Sequence, residues 1–183
     1  MTESLVEAAL ALVEEGGSDA LTVREVATRA GVAPMGVYSR FGGKDGLLEV
    51  VFVSGFAQLQ ETITAARGSD ALSRLRNGCL AYRRFAVEHP HLYELMFRQM
   101  LELELSSESL EQAERSFALL VERVEDAAEA GMIAADDPVD VAQQLWNALH
   151  GGVSLETIGV SFSPEPERTF AAMLDTMLDG LTR

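Results

Sequence analysis

The sequence contains a single cysteine, Cys79, and a single lysine, Lys44. One cysteine excludes an intrachain disulfide and is typical of a reducing compartment, so we expect a cytoplasmic protein. No run approaches the roughly eighteen uninterrupted apolar residues that a membrane span needs. The opening residues, MTESLVEAALALVEEGG, carry acidic rather than basic side chains, which argues against a secretory signal peptide.

Basic residues are scarce throughout. The 14 lysines and arginines stand against 29 aspartates and glutamates, and the formal net charge is −15. Residues 1–50 hold Arg24, Arg29, Arg40 and Lys44 against eight carboxylates, a net charge of −4. This balance excludes indiscriminate affinity for polyanions, because nucleic-acid binders usually present a basic patch. Any such patch on this chain must be local.

Groups of residues that would support catalysis or hold a metal are also missing. His89 and His91 flank Pro90 and are expected to point apart, and no His-Glu-x-x-His pattern or cysteine cluster occurs. The chain has no phosphate-cradling glycine loop. We therefore expect no metal, no cofactor and no enzymatic activity. An enzyme stays open only as a third alternative, which turnover in a hydrolase and transferase screen would support.

What the sequence does contain is helical periodicity along most of its 183 residues, 48% of which are hydrophobic. Apolar residues recur at three- and four-residue spacing, and no alternating run of strand length appears. These patterns predict an all-α fold of about nine helices. The predicted breaks between helices lie at Gly16–Gly17, Gly31, Gly42–Gly43, Gly68–Asp70, His89–Pro90, Ser106–Ser107, Gly131–Pro138 and Ser161–Pro166.

The second and third helices are short and are separated by a glycine. Thr22 is a good N-cap, with Glu25 placed to complete a capping box, and Gly31 ends that helix. Pro34 suits the first turn of the third helix, which Gly42 ends. Two short helices joined by such a turn predict a helix-turn-helix, whose second helix enters the major groove of DNA.

The third helix carries side chains suited to a DNA surface. Val37 and Phe41 are expected to be buried, packing this helix onto its neighbours. Its slim N-terminal residues allow the backbone to approach base edges, whereas its later hydroxyls and cations suit phosphate oxygens, and Arg40 also suits a base edge. The residues that this pattern places at the DNA are Ala33, Pro34, Met35, Gly36, Tyr38, Ser39, Arg40 and Lys44.

The stretch DALTVREVATRAGVAPMGVYSRFGGKDGLL resembles the N-terminal DNA-binding segment of the TetR (tetracycline-repressor-like) family of bacterial transcriptional regulators. The shared features are an alanine-threonine-valine stretch entering the second helix, an alanine-glycine-valine turn, the aromatic pair Tyr38 and Phe41, and a lysine that opens the next helix. Further along, WNALHGGVSLE resembles the Trp–His–Gly segment of one C-terminal subgroup, and EHPHLYELMF is similar to its sixth helix.

The resemblance implies a homodimeric, all-helical regulator. Residues 1–48 are then a helix-turn-helix DNA-binding domain, and residues 49–183 a helical domain that binds an effector and dimerises through the last two helices. We expect a repressor that binds a palindromic operator in double-stranded DNA and is released by a small apolar or aromatic molecule. The DNA-facing positions carried over from the family are Thr22, Arg24, Ala33, Pro34, Met35, Tyr38, Ser39 and Lys44.

Large, soft side chains are concentrated in the C-terminal two-thirds of the chain. Methionine and aromatic walls adapt to apolar ligands, so these residues are candidates for an effector pocket, although each also suits an ordinary core. His150 lies four residues after Trp146 and therefore on the same helical face. The candidates are Tyr82, Phe85, Tyr93, Met96, Phe97, Met100, Phe117, Trp146 and His150.

The final helix has a regular apolar stripe that must be covered, either by the domain's own core or by a symmetry mate. The preceding helix has a similar stripe, and its Gly151 and Gly152 allow close backbone approach. Two adjacent helices of this kind suit a four-helix interface in a two-fold dimer. The dimerisation candidates are Val153, Phe170, Met173, Leu174, Met177 and Leu178.

An alternative is a ligand-binding helical protein whose helix-turn-helix no longer binds DNA. The family pattern more often has serine at position 33 and threonine at position 36, where this chain has Ala33 and Gly36. The sequence also shows no basic arm before the first helix. Together with the net charge of −4 over residues 1–50, these departures keep the alternative open.

Overall fold

A computed structural model describes residues 2–182, and in that part of the chain it shows nine α-helices and no strand. A single turn of 3-10 helix, Met100–Glu102, lies between the sixth and seventh helices. The predicted all-α class is confirmed. The helices are α1 (Thr2–Ala20), α2 (Val23–Arg29), α3 (Pro34–Phe41), α4 (Lys44–Ala65), α5 (Ala71–Glu88), α6 (Pro90–Phe97), α7 (Ser107–Glu129), α8 (Pro138–Thr157) and α9 (Pro166–Leu181).

Helix ends follow local sequence signals. α1 loses helical geometry at Gly16 and Gly17, the latter with φ of +71°, before a last turn that ends at Ala20. Thr22 caps α2, since its hydroxyl accepts a hydrogen bond from the Glu25 N–H at 3.1 Å. Proline occupies the first turn of α3, α6, α8 and α9, where its missing N–H costs no helical hydrogen bond. The predicted breaks are therefore confirmed at these positions.

The chain forms two compact units. The first comprises the described residues up to Gln58 together with His89–Ala113. In it α1 packs on α6. The ring of Phe56 in α4 lies 4.9 Å from Phe52 and 5.1 Å from Phe97, measured between ring centroids. These aromatic contacts fill the core that supports the N-terminal helices.

The second unit comprises Leu59–Glu88 together with the described residues from Glu114 onward. Here α5 packs against both α8 and α9. Arg83 of α5 donates two hydrogen bonds to Glu156 of α8, at 2.9 and 2.6 Å, and both side chains are largely buried. A bidentate arginine–carboxylate pair of this kind fixes the register of one helix against the other.

The chain crosses between the two units three times: inside α4, between α5 and α6, and inside α7. The sequence-based division between residues 48 and 49 separates a DNA-binding domain from an effector-binding domain, which is a different question from which residues form a compact unit. That division stays a prediction. In the part of the chain that the structure describes, no helix combines the length and the apolar character needed to cross a membrane.

Candidate functional site

The turn between α2 and α3 depends on Gly31, whose φ of +68° is a conformation that favours glycine. The Gly31 N–H donates to the Thr28 carbonyl at 3.2 Å, and the Val32 N–H donates to the Ala27 carbonyl at 2.9 Å. These hydrogen bonds satisfy the backbone at the end of α2. As a result, α3 leaves the turn in a defined direction.

An ion pair ties α2 to α1. Arg29 donates two hydrogen bonds to the Glu15 carboxylate, at 2.8 and 2.7 Å. These hydrogen bonds lower the pKa of Glu15 and raise the pKa of Arg29. Arg29 is therefore engaged with Glu15, and the other three cations of residues 2–50, Arg24, Arg40 and Lys44, are exposed.

α3 has one buried side chain and an exposed outer face. Val37 is fully buried, as predicted, whereas Phe41 is only partly buried. On the outer face, Met35 is 73% exposed and Tyr38 is 52% exposed. The residues predicted to contact DNA are all exposed or partly exposed in the structure: Thr22, Arg24, Ala33, Pro34, Met35, Tyr38, Ser39, Arg40 and Lys44.

The N-terminus of α3 lacks a side-chain cap. Ala33 occupies the N-cap position and its methyl group accepts no hydrogen bond, a loss of about 1 kcal/mol relative to serine. Further along the helix, the Ser39 hydroxyl and the Arg40 guanidinium both donate to the Gly36 carbonyl, at 3.2 and 3.0 Å. The Ser39 and Arg40 side chains therefore make hydrogen bonds with their own helix and lie close to its exposed face.

α3 and α4 meet at a glycine-rich corner. Gly42 ends α3 with φ of +72°, and its N–H donates to the Tyr38 carbonyl at 2.9 Å. Lys44 then begins α4. A Cβ at Gly46 would overlap the carbonyl oxygen of Phe41, so only glycine allows α4 to pass this close to the end of α3. The corner sets the position of the exposed helix relative to α4.

The second unit contains a small cavity of about 20 Å³. Two of the predicted effector-binding residues, Tyr82 and Trp146, line it. The cavity is bordered by Ile63, Leu75, Gly78, Cys79, Tyr82, Ser116, Leu120, Arg123, Trp146 and Leu149.

Three more of the predicted effector residues lie in the same unit. The Tyr82 hydroxyl is 3.1 Å from the ring nitrogens of His150. Phe117 packs edge-to-face on Trp146, with centroids 5.7 Å apart. Phe85 is buried on α5 and does not border the cavity. Burial lowers the pKa of His150 to about 4, so this imidazole is neutral near pH 7.

The other four predicted effector residues belong to the first unit. Tyr93 and Met96 are buried there, and Phe97 and Met100 are partly buried. The Tyr93 and Phe97 rings lie 4.8 Å apart. None of these four residues is among those that border the cavity of the second unit. Their assignment to an effector site stays a prediction.

The dimerisation candidates divide into two sets. Four of them are buried among the helices of their own unit, as the own-core alternative predicts: Val153, Phe170, Leu174 and Leu178. Met173 and Met177 are only partly buried and reach the surface. Gly152 brings α8 close to α9, since a Cβ there would lie 3.0 Å from the Phe170 ring. A role for the six residues in dimerisation stays a prediction.

Sequence reasoning missed Arg123, which borders the cavity from α7. A signal for it was present, because Ser116, Leu120, Val124 and Ala127 form the buried stripe of that helix. Arg123 lies three residues after Leu120, on the same face, where an arginine is unexpected.

α3 is a short helix with one buried residue and an exposed outer face, and it follows α2, which the Arg29–Glu15 ion pair ties to α1. Two short helices in this arrangement are a helix-turn-helix. The chain belongs to the TetR family. Residues 5–51 match the family model described as bacterial regulatory proteins, tetR family, and residues 75–177 match the tetracyclin repressor-like C-terminal domain. The resemblance seen in the sequence is confirmed, and the chain is a DNA-binding transcriptional regulator. Its assignment to the Trp–His–Gly subgroup stays a prediction.

Similar proteins cover nearly the whole chain. An uncharacterized HTH-type transcriptional regulator of Mycobacterium tuberculosis is 27% identical over 99% of this chain and 81% of its own length. A protein of unknown function from Rhodococcus sp. RHA1 superposes with a TM-score of 0.89, at 28% identity, over 99% of this chain and 95% of that one. The TetR family regulator PfmR of Thermus thermophilus shares the fold, with a TM-score of 0.70, at 22% identity, over 98% of this chain and 99% of that one.

Proposed function

We propose that two copies of this chain bind a palindromic operator and repress transcription in the cytoplasm, with α3 of each copy in the major groove. The observation that carries this proposal is the exposed face of α3, where Met35 and Tyr38 project from a helix anchored by buried Val37. The slim start of the helix, Ala33 and Pro34, lets its backbone approach the base edges. Met35 contacts thymine methyl groups, and Tyr38, Ser39 and Lys44 contact phosphates.

Dimerisation places the two α3 helices about 34–36 Å apart, one turn of DNA. An exposed apolar surface at the end of α8 and in the following loop supports this assembly. Leu155, Ile158, Val160 and Phe162 are all exposed there, and Phe162 is fully so. Exposed apolar side chains grouped in this way are typical of a protein–protein interface. Leu155, Val160 and Phe162 line a groove that Met173 also borders, so Met173 joins the proposed interface.

A small effector in the cavity of the second unit releases the operator in this proposal. α4 supports the coupling, because the helix begins at Lys44 and carries Ile63, which borders the cavity. A ligand that prefers one position of α4 shifts the population toward dimers whose recognition helices no longer match successive major grooves. A movement of a few ångströms is enough to weaken binding.

Substitution of the recognition surface tests the proposal. Tyr38→Ala and Lys44→Ala are each expected to weaken operator binding in a gel-shift titration, while light scattering still shows a dimer. Arg168→Ala is the control, because Arg168 is an exposed cation on α9. Unchanged operator affinity in both variants would reject the site. Failure of the wild-type chain to bind any duplex would instead favour the ligand-binding alternative.

A further inference from the structure

A guanidinium without a complete set of acceptors borders the cavity of the second unit. Arg123 donates from one terminal nitrogen to the Arg74 carbonyl and from the other to the Ile63 carbonyl, each at 3.0 Å. Among the described residues, its Nε is the one buried side-chain nitrogen or oxygen without a hydrogen-bond partner. A buried donor left in this state costs free energy, so it marks a place where an acceptor is favoured.

The cavity also lacks a negative charge to balance Arg123. No carboxylate is among the described residues that border it, and burial raises the pKa of the Cys79 thiol to about 12, which keeps the sulfur neutral. Burial is the main cause that lowers the pKa of Arg123, and the like charge of Arg74 lowers it further; the charge of Asp126 opposes this shift, and Arg67 adds only a smaller lowering. An arginine nevertheless stays protonated in proteins. In a chain of net charge −15, this cavity is locally cationic.

The remaining lining is apolar and aromatic. Leu120, Leu149 and Trp146 form walls beside Tyr82, whose hydroxyl lies against His150. The Ser116 hydroxyl accepts a hydrogen bond from Gln60 at 3.0 Å. At about 20 Å³ the cavity has room for one water molecule, so a larger occupant must displace its walls. Trp146, its partner Phe117 and His150 are partly exposed, whereas Tyr82 is buried, so the displacement falls on the partly exposed side of the cluster.

We propose that the effector is a small apolar or aromatic carboxylate that accepts a hydrogen bond from Arg123 Nε and packs its hydrocarbon part against Leu120, Trp146 and Leu149. This inference rests on the proposed function, since it assigns the effector to this cavity. A carboxylate supplies both the missing acceptor and the missing charge. A charge-assisted hydrogen bond in such surroundings is roughly twice as strong as a neutral one.

A purely structural role for Arg123 makes a different prediction. Its bond to the Ile63 carbonyl lies in the last turn of α4, where a cation satisfies terminal carbonyls and the helix dipole. If Arg123 serves only that purpose, an acid and its amide bind alike.

Calorimetric titration of the wild-type chain with matched acids and amides distinguishes the two roles. The pairs are benzoate and benzamide, phenylacetate and phenylacetamide, and octanoate and octanamide. We expect at least one acid to bind about tenfold or more tightly than its amide. Equal binding within every pair overturns the carboxylate inference, and so does the absence of binding across the series.

Variants then test whether Arg123 is the residue that makes the acid bind more tightly than its amide. Arg123→Gln is expected to bring the acid within about twofold of the amide, because glutamine keeps a donor but loses the charge. Arg115→Gln is the matched control, since Arg115 is exposed on the same helix and does not border the cavity. Arg123→Lys, which keeps the charge, is expected to retain part of the preference. Melting curves confirm that each variant is folded, and persistence of the full preference in Arg123→Gln contradicts the assignment.

Failure of this inference is separable from failure of the proposed function. Operator binding and its loss in Tyr38→Ala require no effector. If the operator is bound but no acid is preferred, only the carboxylate inference fails. If the acids bind through Arg123 but do not release the operator, effector control fails while the subsite stands.

Discussion

Val37 and Met35 are two residues apart on α3 and have opposite environments. Val37 is fully buried beneath the helix, whereas Met35 is 73% exposed on its outer face. Val37→Ala is expected to lower the free energy of unfolding by about 2 kcal/mol, because it removes buried methyl groups and leaves a cavity. Met35→Ala is expected to change it by less than about 0.5 kcal/mol while weakening operator binding.

Urea denaturation and a gel-shift titration of the two variants measure these effects. The opposite result, a stable Val37→Ala and an unstable Met35→Ala, would mean that α3 presents its other face.

His150 gives the second unit a pH dependence. Burial lowers the pKa of His150 from 6.5 to about 4 in the folded chain. Between these two pH values His150 is therefore protonated in the unfolded chain and neutral in the folded chain. Stability is therefore lost as the pH falls from 6.5 toward 4. We expect a loss on the order of 1–2 kcal/mol between about pH 7 and pH 5, after allowance for partial solvent screening.

Urea denaturation at both pH values checks this dependence, with His150→Gln as the comparison. The variant is expected to show a smaller loss. Two carboxylates add to the loss of folding stability at lower pH, because their pKa values are lowered in the folded chain. Hydrogen bonds from Ser106 lower the pKa of Glu49 from 4.5, and a hydrogen bond from Arg76 lowers that of Asp175 from 3.8. Equal losses in the wild type and the variant would show that His150 is accessible to solvent.

At the scale of elements, the corner between α3 and α4 fixes the recognition helix. A Cβ at Gly46 would overlap the Phe41 carbonyl oxygen, so Gly46→Ala forces the two helices apart. We expect a loss of about 1–3 kcal/mol in stability together with weaker operator binding.

Gly180→Ala is the control for this substitution, because a Cβ at that position in α9 meets nothing within 4 Å. It is expected to be neutral or slightly stabilising, since alanine is the better helix former. Thermal melting and gel-shift titration measure both properties. A destabilised Gly180→Ala beside an unaffected Gly46→Ala would contradict the described packing.

The sequence predicts helix ends well and packing partners poorly. Thr22, Gly31, Pro34 and Gly42 act on the backbone within a few residues, so their effects can be predicted locally. Periodicity shows that Met96 is buried, but not that it lies in the first unit, because the partner helix is distant in sequence.

Because packing partners are distant in sequence, the sequence alone also could not predict how the cavity is lined or what covers the last two helices. Arg123 meets the Ile63 and Arg74 carbonyls only after α4, α5 and α7 have packed. In α9, the stripe of Phe170, Leu174 and Leu178 suits a core and an interface equally well from sequence alone, and the structure shows these residues buried. The exposed face of α3 is the part of the site that local patterns predict most fully.

At the scale of the whole molecule, the proposed dimer depends on the exposed end of α8. Leu155 and Val139 lie on this helix, 54% and 53% exposed, but only Leu155 borders the groove with Phe162. Leu155→Glu is expected to yield a monomer with much weaker operator binding, because it places a charge in an apolar interface.

Val139→Glu is the control and is expected to remain dimeric. Light scattering decides the outcome, with the dimer at twice the chain mass of 19.8 kDa. A dimer that survives Leu155→Glu would place the interface elsewhere.

The central claim is that α3 is displayed in duplicate to successive major grooves of one duplex. Selection of bound sequences from a random pool of duplex DNA tests it most directly. The wild-type chain is expected to enrich a palindrome whose half-sites are centred about 10–10.5 base pairs apart. A pool that stays random, or that converges on a single half-site without symmetry, would contradict the claim.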